Sequence, residues 1–360
     1  MISGGGSGGH VYPALAVVQI LKSNTQILWV GSRGGMEKSL LARAEIPFRG
    51  IDAAGLRGKN PLAMAKGAFT LLKGYRQSRK LLREFEPDVL FVTGGYVCVP
   101  MTLAAHRAGV PVVIYLPDIQ PGQAIKFLSR YANRVAVTAP DARQFFPDGL
   151  TVVTGYPVRP ELYTADRTAA QQRFNLDPAL PTVLVFGGSQ GARSINRAIA
   201  NRDALNRLLS HAQLIHISGE RDAEWTQAVW NELPAAQQQL YRLYPYLHSE
   251  MADAFAAADV IISRAGASIL GEAPAVGVPS ILVPYPYSGA HQWQNARYLE
   301  KQGAAITVPD EKLSTDLLPT TIALLADRDR RTAMAQAAKK LARPNAAHAI
   351  AQVLEDFCNE

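Results

Sequence analysis

The 360-residue chain is 48% apolar, enough to build a core, and its length suits two or three domains of ~100–200 residues. Lys and Arg outnumber Asp and Glu 37 to 30, a net charge of +7, and the only cysteines are Cys98 and Cys358. This argues against a disordered chain, a disulfide framework or a zinc ribbon; no run approaches the ~20 apolar residues of a membrane span, and MISGGGSGGH does not read as a signal peptide, so a secreted or integral membrane protein is not expected.

In chain order, the first feature is the turn Ser3-Gly4-Gly5-Gly6-Ser7-Gly8-Gly9-His10, before a helix predicted over 13–21. A strand is predicted at 27–30. From 57 to 83 eight basic residues and no acid interleave with apolar ones such as Leu62, Phe69, Leu72 and Leu82. A basic helix with an apolar stripe suits an anionic membrane surface. The alternative is a surface helix that packs Leu72 and Leu82 on the core. Nucleic acid is not indicated, because aromatic residues are sparse there and no recognition motif is present.

Further strands are predicted at 89–92, 110–115, 135–137, 182–186, 214–217, 260–262 and 280–283. These apolar runs lack alternation, as in parallel strands covered on both faces, and helical patterns separate them. The expected fold is α/β, with two Rossmann-like doubly wound parallel sheets. The joint is expected near Gly155-Tyr156-Pro157-Val158-Arg159-Pro160, where glycine and proline break both patterns. A C-terminal helical stretch from about 329 to 357 is interrupted at Pro344.

Three glycine-rich turns follow strands or strand candidates and precede helices: the first one, then Gly94-Gly95-Tyr96, then Gly187-Gly188-Ser189-Gln190-Gly191-Ala192. Glycine permits close backbone approach, and a helix start favours an anion. No acidic residue ends the strand near Val30, where a dinucleotide site would hold a ribose, and there is no G-x-x-x-x-G-K-[ST] loop, which argues against nicotinamide, flavin or P-loop chemistry. A fourth turn, Arg264-Ala265-Gly266-Ala267-Ser268-Ile269-Leu270-Gly271-Glu272, carries a carboxylate suited to the paired hydroxyls of a ribose. The segment 285–296 is dense in side chains that hydrogen-bond sugar hydroxyls, with aromatics able to stack on a ring.

Together these segments resemble the MurG family of glycosyltransferases over nearly the whole chain. The family's GGTGGHVFPALA is matched from Gly5 to Ala16, its GGYVSGP from Gly94 to Pro100, its TGNPVR from Thr154 to Arg159, and its GGSQGA from Gly187 to Ala192. The resemblance implies a GT-B fold with an acceptor- and membrane-facing domain over 1–157, a donor domain over 158–340, and a C-terminal helix in 341–360 packing back on the first. It implies inverting transfer of N-acetylglucosamine from UDP-N-acetylglucosamine to undecaprenyl-pyrophosphoryl-MurNAc-pentapeptide (lipid I), giving lipid II for peptidoglycan. No cofactor is implied. The expected place is peripheral, on the anionic cytoplasmic face of the plasma membrane.

Carried over residue by residue, Ser189, Gln190 and Gly191 would contact the donor diphosphate. Ala267, Ser268, Ile269, Leu270 and Gly271 would line the uracil and phosphate side, with Glu272 on the ribose and His248 near the uracil. His291 and Gln292 would read the sugar. Ser7, Gly8 and Gly9 would face the transferred sugar and the acceptor diphosphate, and Arg159 would be a phosphate ligand. Where the family has His-Glu-Gln-Asn, this chain has Tyr115-Leu116-Pro117-Asp118, so Asp118 takes the Asn position. No Asp-x-Asp motif indicates a metal-bridged diphosphate. His10 is the first candidate base, because imidazole suits proton abstraction near neutral pH; Asp118 is the second. Other readings remain: a different lipid acceptor, a UDP-sugar epimerase, or a noncatalytic UDP-sugar-binding subunit.

Overall fold

The computed structural model describes residues 1–6, 8–21, 25–35, 37–53, 61–188, 191–287 and 290–358, with the backbone alone at 61–65. The chain divides into two compact units, Met1–Pro157 with Asn345–Glu360, and Val158–Pro344.

The first unit holds seven strands: β1 (Ile2–Gly4), β2 (Trp29–Ser32), β3 (Phe48–Ile51), β4 (Leu90–Gly94), β5 (Val112–Leu116), β6 (Arg134–Val137) and β7 (Thr151–Val153). They form one parallel sheet in the order β3-β2-β1-β4-β5-β6-β7. Alternate residues serve two cores. Val30, Leu90, Val92, Val112, Ile114 and Val135 pack to one face. Trp29, Phe91, Val113, Tyr115 and Ala136 pack to the other, with Val11, Ala14 and Val17 of helix Gly8–Leu21 and Ile350 and Leu354 of helix Ala346–Glu355. Burial on both faces is why the central strands read as unbroken apolar runs.

The first helix begins at Gly8, five residues before the predicted start, and runs through Pro13. Proline there lacks the N–H that would reach the Gly9 carbonyl. Burial of Val11, Ala14, Val17 and Val18 against the sheet outweighs that lost bond.

Helix Pro61–Phe85 packs along helix Cys98–Ala108. Gly74 lets it approach: a Cβ there would stand 2.1 Å from the Asp52 carbonyl oxygen. Leu82 joins the core at 4% exposure, whereas Leu72 does not, at 47%. The core-packing expectation is therefore corrected for Leu72. It lies one turn from Phe69, which is 68% exposed, and the two face away from the sheet.

The second unit holds β8 (Thr182–Phe186), β9 (Gln213–Ile217), β10 (Tyr241–Tyr244), β11 (Val260–Ser263), β12 (Ser280–Leu282) and β13 (Ala305–Thr307), all parallel in the order β10-β9-β8-β11-β12-β13. Each sheet thus reverses its winding once, between β1 and β4 and between β8 and β11. Ligands of open α/β sheets bind at such switch points, beyond the carboxyl ends of the strands. The four glycine-containing turns singled out in the sequence leave these four strands.

Candidate functional site

In the first unit the turns after β1 and β4 meet. Gly6 has φ 82°, and Gly94 and Gly95 have φ 123° and 95°. The Gly5 amide donates to the Gly94 carbonyl at 3.1 Å. No side chain fits between them: a Cβ at Gly95 would stand 2.5 Å from the Gly5 oxygen, and one at Gly94 2.8 Å from His10 Nε2. His10 therefore lies directly on the second turn. Its Nδ1 is 3.0 Å from the Gly5 carbonyl oxygen. A carbonyl only accepts, so Nδ1 carries the proton and the lone pair of the neutral ring is on Nε2. Gly8 and Gly9 open the helix, with Gly9 exposed. Ser7 lies outside the described residues.

Asp118 stands two residues past β5 and is half-buried. Tyr115, where the family has histidine, is 1% exposed. Its hydroxyl donates to the Gly155 carbonyl at 3.3 Å and meets Thr138 Oγ1 at 3.2 Å. Burial pushes that hydroxyl far above the ordinary tyrosine range. Tyr115 ties the strand ends together inside the core, which leaves Asp118 as the carboxylate of this segment.

The sequence reading found no acidic residue at the end of β2, yet the structure brings one there from the following helix. Glu37 opens helix Glu37–Arg43, is fully buried, and accepts the amides of Ser32 at 2.8 Å and Gly6 at 3.2 Å. The available signal was the crowding of Gly31, Gly34 and Gly35 just before an acidic helix start.

In the second unit the turn after β8 folds back at Gly188 and Gly191, φ 77° and 73°. A Cβ at Gly187 would stand 2.1 Å from the Ala192 nitrogen, and one at Gly191 2.4 Å from the Ser218 oxygen. The Gly191 amide donates to the Gly188 carbonyl at 3.0 Å, so the turn itself uses one amide expected for the diphosphate. Ser189 and Gln190 lie outside the described residues. After β11, the turn leads into the helix Ile269–Val276. The amides of Ile269, Leu270 and Gly271 donate to the carbonyls of Gly266, Ala267 and Ser268 at 3.2, 3.1 and 3.0 Å, a tight first turn.

That turn places Glu272 beside Ser268 and Arg159. Burial raises the Glu272 carboxyl above the ordinary range, against the pull of the Ser268 side chain and then of the Arg159 charge. Arg159 donates to the His248 carbonyl at 3.1 Å. Arg159, His248 and Glu272 are thereby linked. The His248 ring packs edge-on against Tyr246, centroids 4.6 Å apart. A groove of about 1250 Å³ runs past the strand ends, lined by Gly188, Gly191, Ser268, Ile269, Tyr285 and Gln292 among others. Gln292 Oε1 accepts the Tyr285 amide at 2.8 Å, which orients the side chain, and His291 precedes it at the helix start.

Two supports have partners that no local pattern in the sequence announces. Arg264 donates to Ser194 Oγ at 2.7 Å and to the Asp310 carboxylate, with its guanidinium 5.1 Å from the centroid of the Tyr285 ring. Behind the glycine turn, His216 Nδ1 meets the Tyr241 hydroxyl at 2.7 Å and Nε2 meets Asn196 Oδ1 at 3.0 Å. The Asn196 amide then donates to Ser218 O and to Asp222, which Arg193 also engages. The partners lie 20 or more residues apart in sequence, so no local pattern announces them.

Residues 1–137 match the glycosyltransferase family 28 N-terminal domain, and residues 182–350 match its C-terminal domain. The chain is 42% identical, over 98% of its length and 93% of the relative, to the UDP-N-acetylglucosamine--N-acetylmuramyl-(pentapeptide) pyrophosphoryl-undecaprenol N-acetylglucosamine transferase of Roseiflexus sp. (strain RS-1). The protein of the same name from Desulforamulus reducens is 38% identical, over 99% of this chain and 97% of its own. Among solved structures, MurG of Acinetobacter baumannii superposes with a TM-score of 0.79 at 29% identity, covering 99% of this chain and 98% of that one.

Proposed function

The chain belongs to the MurG family, within glycosyltransferase family 28, and from that premise we propose that it moves N-acetylglucosamine from UDP-N-acetylglucosamine to N-acetylmuramyl-(pentapeptide) pyrophosphoryl-undecaprenol, giving lipid II. The observation that carries this reading is the placement of the glycine turns: each sheet closes two of them at its one switch point. The second unit supplies the donor site. The turn after β8, the tight helix start at Ile269 and the Gln292 side chain line one groove, and Glu272 stands beside Ser268 for the ribose.

The first unit supplies the acceptor side and the base. His10 presents Nε2 as its basic atom, because Nδ1 is held by the Gly5 carbonyl. The acceptor hydroxyl gives its proton to Nε2 as its oxygen attacks C1 of the sugar. The bond from C1 to the phosphate oxygen breaks on the opposite face, UDP leaves with the electron pair, and the configuration inverts. Asp118, at the exit of β5, orients the acceptor as a hydrogen-bond partner.

No helix among the described residues is long and apolar enough to cross a membrane. The lipid acceptor is met at the anionic cytoplasmic face, through helix Pro61–Phe85. Exposed Phe69 and Leu72 would enter the interface while Lys66, Arg76 and Arg79 meet the headgroups.

The test is UDP release with and without the lipid acceptor, from UDP-N-acetylglucosamine and from UDP-glucose. Release that needs both UDP-N-acetylglucosamine and the lipid supports the transferase. An epimerase would turn over its donor without lipid, and a binding subunit would release no UDP.

A further inference from the structure

Glu37 is a carboxylate at 0% exposure. Among the described residues no lysine, arginine or histidine pairs with it. Burying a charge without a counter-ion costs several kcal/mol, so its surroundings must favour that position strongly. They are built of backbone. Oε1 accepts the Ser32 amide at 2.8 Å, and Oε2 accepts the Gly6 amide at 3.2 Å. Three glycines wall the group: a Cβ at Gly5, Gly31 or Gly35 would stand 2.4, 2.8 or 2.2 Å from Oε1. Side chains are excluded from three directions around this one carboxylate. The residues it holds are the first glycine turn itself, whose Gly5 carbonyl receives His10 Nδ1.

We propose that Glu37 is a positioning residue for the transfer reaction: its buried carboxylate clamps the Gly5-Gly6 turn so that the Gly5 carbonyl fixes His10 with Nδ1 protonated and Nε2 basic. This rests on the reading of His10 as the base. Both of its oxygens are engaged as acceptors, one by each amide. Glutamine at this position keeps the volume but turns an N–H pair toward one of the two backbone donors, which opens the clamp.

The experiment is long-range proton–nitrogen NMR of the full-length protein, with the His10 signals assigned by their loss in His10→Gln, beside steady-state kinetics. In the unsubstituted protein the neutral His10 ring should be the Nδ1–H tautomer; finding the Nε2–H tautomer overturns the proposal without any variant. In Glu37→Gln the Nε2–H form should appear and kcat should fall about 10- to 100-fold, while KM for UDP-N-acetylglucosamine stays within about twofold. Gly35→Ala is the second variant, keeping the carboxylate but pressing a methyl group on it; it should act in the same direction. An unchanged tautomer in a folded variant overturns the clamp, whatever happens to kcat. A changed tautomer with unchanged kcat leaves the clamp standing and removes His10 as the base.

Discussion

At the scale of single residues, the two histidines of opposite character make the sharpest predictions. His10 is half-buried at a glycine turn, with one nitrogen committed to a carbonyl. His10→Ala should lower turnover about 10²- to 10⁴-fold and leave UDP affinity within about twofold. Rapid-quench turnover and calorimetric titration of UDP check the pair, and unchanged turnover would remove the base role. His216 is wholly buried between Tyr241 and Asn196, and burial holds its imidazole at about 3. The unfolded chain would protonate it near 6.5. Between those values the unfolded state binds more protons, so this contribution to stability is intact above pH ~6.5 and shrinks as pH falls. At pH 4.5 the loss amounts to roughly 2–3 kcal/mol. Urea unfolding at pH 7.5 and 4.5 should show a smaller acid loss in His216→Gln; an equal loss would assign the acid sensitivity elsewhere.

At the scale of elements, helix Pro61–Phe85 carries charges of two kinds. Lys73 pairs with Asp52 at 3.1 Å and Lys80 with Glu84 at 3.6 Å. Arg76 and Arg79 are exposed beside Phe69 and Leu72 and form no ion pair with a carboxylate among the described residues. Replacing Arg76 and Arg79 by glutamine should therefore weaken binding to anionic vesicles by about 2 kcal/mol, roughly 30-fold, with UDP affinity unchanged. Vesicle sedimentation reads this, and unaltered partitioning would move the docking face off this helix. The strands show what periodicity can and cannot reveal. All the central strands except β1 were visible as apolar runs. The four edge strands β3, β7, β10 and β13 were not: they are short, and their residues are largely half-exposed, as in Phe-Arg-Gly-Ile and Tyr-Arg-Leu-Tyr. A strand with a neighbour on one side only lacks the burial that writes an apolar run. β1, though central, is three residues long and leads straight into glycine.

At the scale of the whole molecule, the C-terminal segment returns to the first unit. Helix Ala346–Glu355 packs on helix Gly8–Leu21 and buries Ile350, Val353 and Leu354. Deleting 345–360 should destabilise the first unit by about 5 kcal/mol, at ~1.5–3 kcal/mol for each large side chain uncovered. Scanning calorimetry of the truncated chain should show an early transition that UDP-N-acetylglucosamine does not raise, and a later one that it does. A truncated chain whose first transition is unmoved would contradict that packing.

The sequence by itself determined the two parallel sheets, the glycine turns and the family, because each is written in local runs of a few residues: apolar strands, punctuating glycines, a contiguous Gly-Gly-Ser-Gln-Gly-Ala. Only the tertiary structure decided which atoms those turns hold. The His10 tautomer depends on a carbonyl five residues away, Glu37 reaches back to a turn 31 residues earlier, and Arg264 meets a serine 70 residues before it. Tyr115 likewise proved a core tie once its hydroxyl met Thr138 and Gly155. Periodicity reports how a residue is buried relative to its chain neighbours, whereas hydrogen-bond direction is set by groups that the sheet brings together from elsewhere.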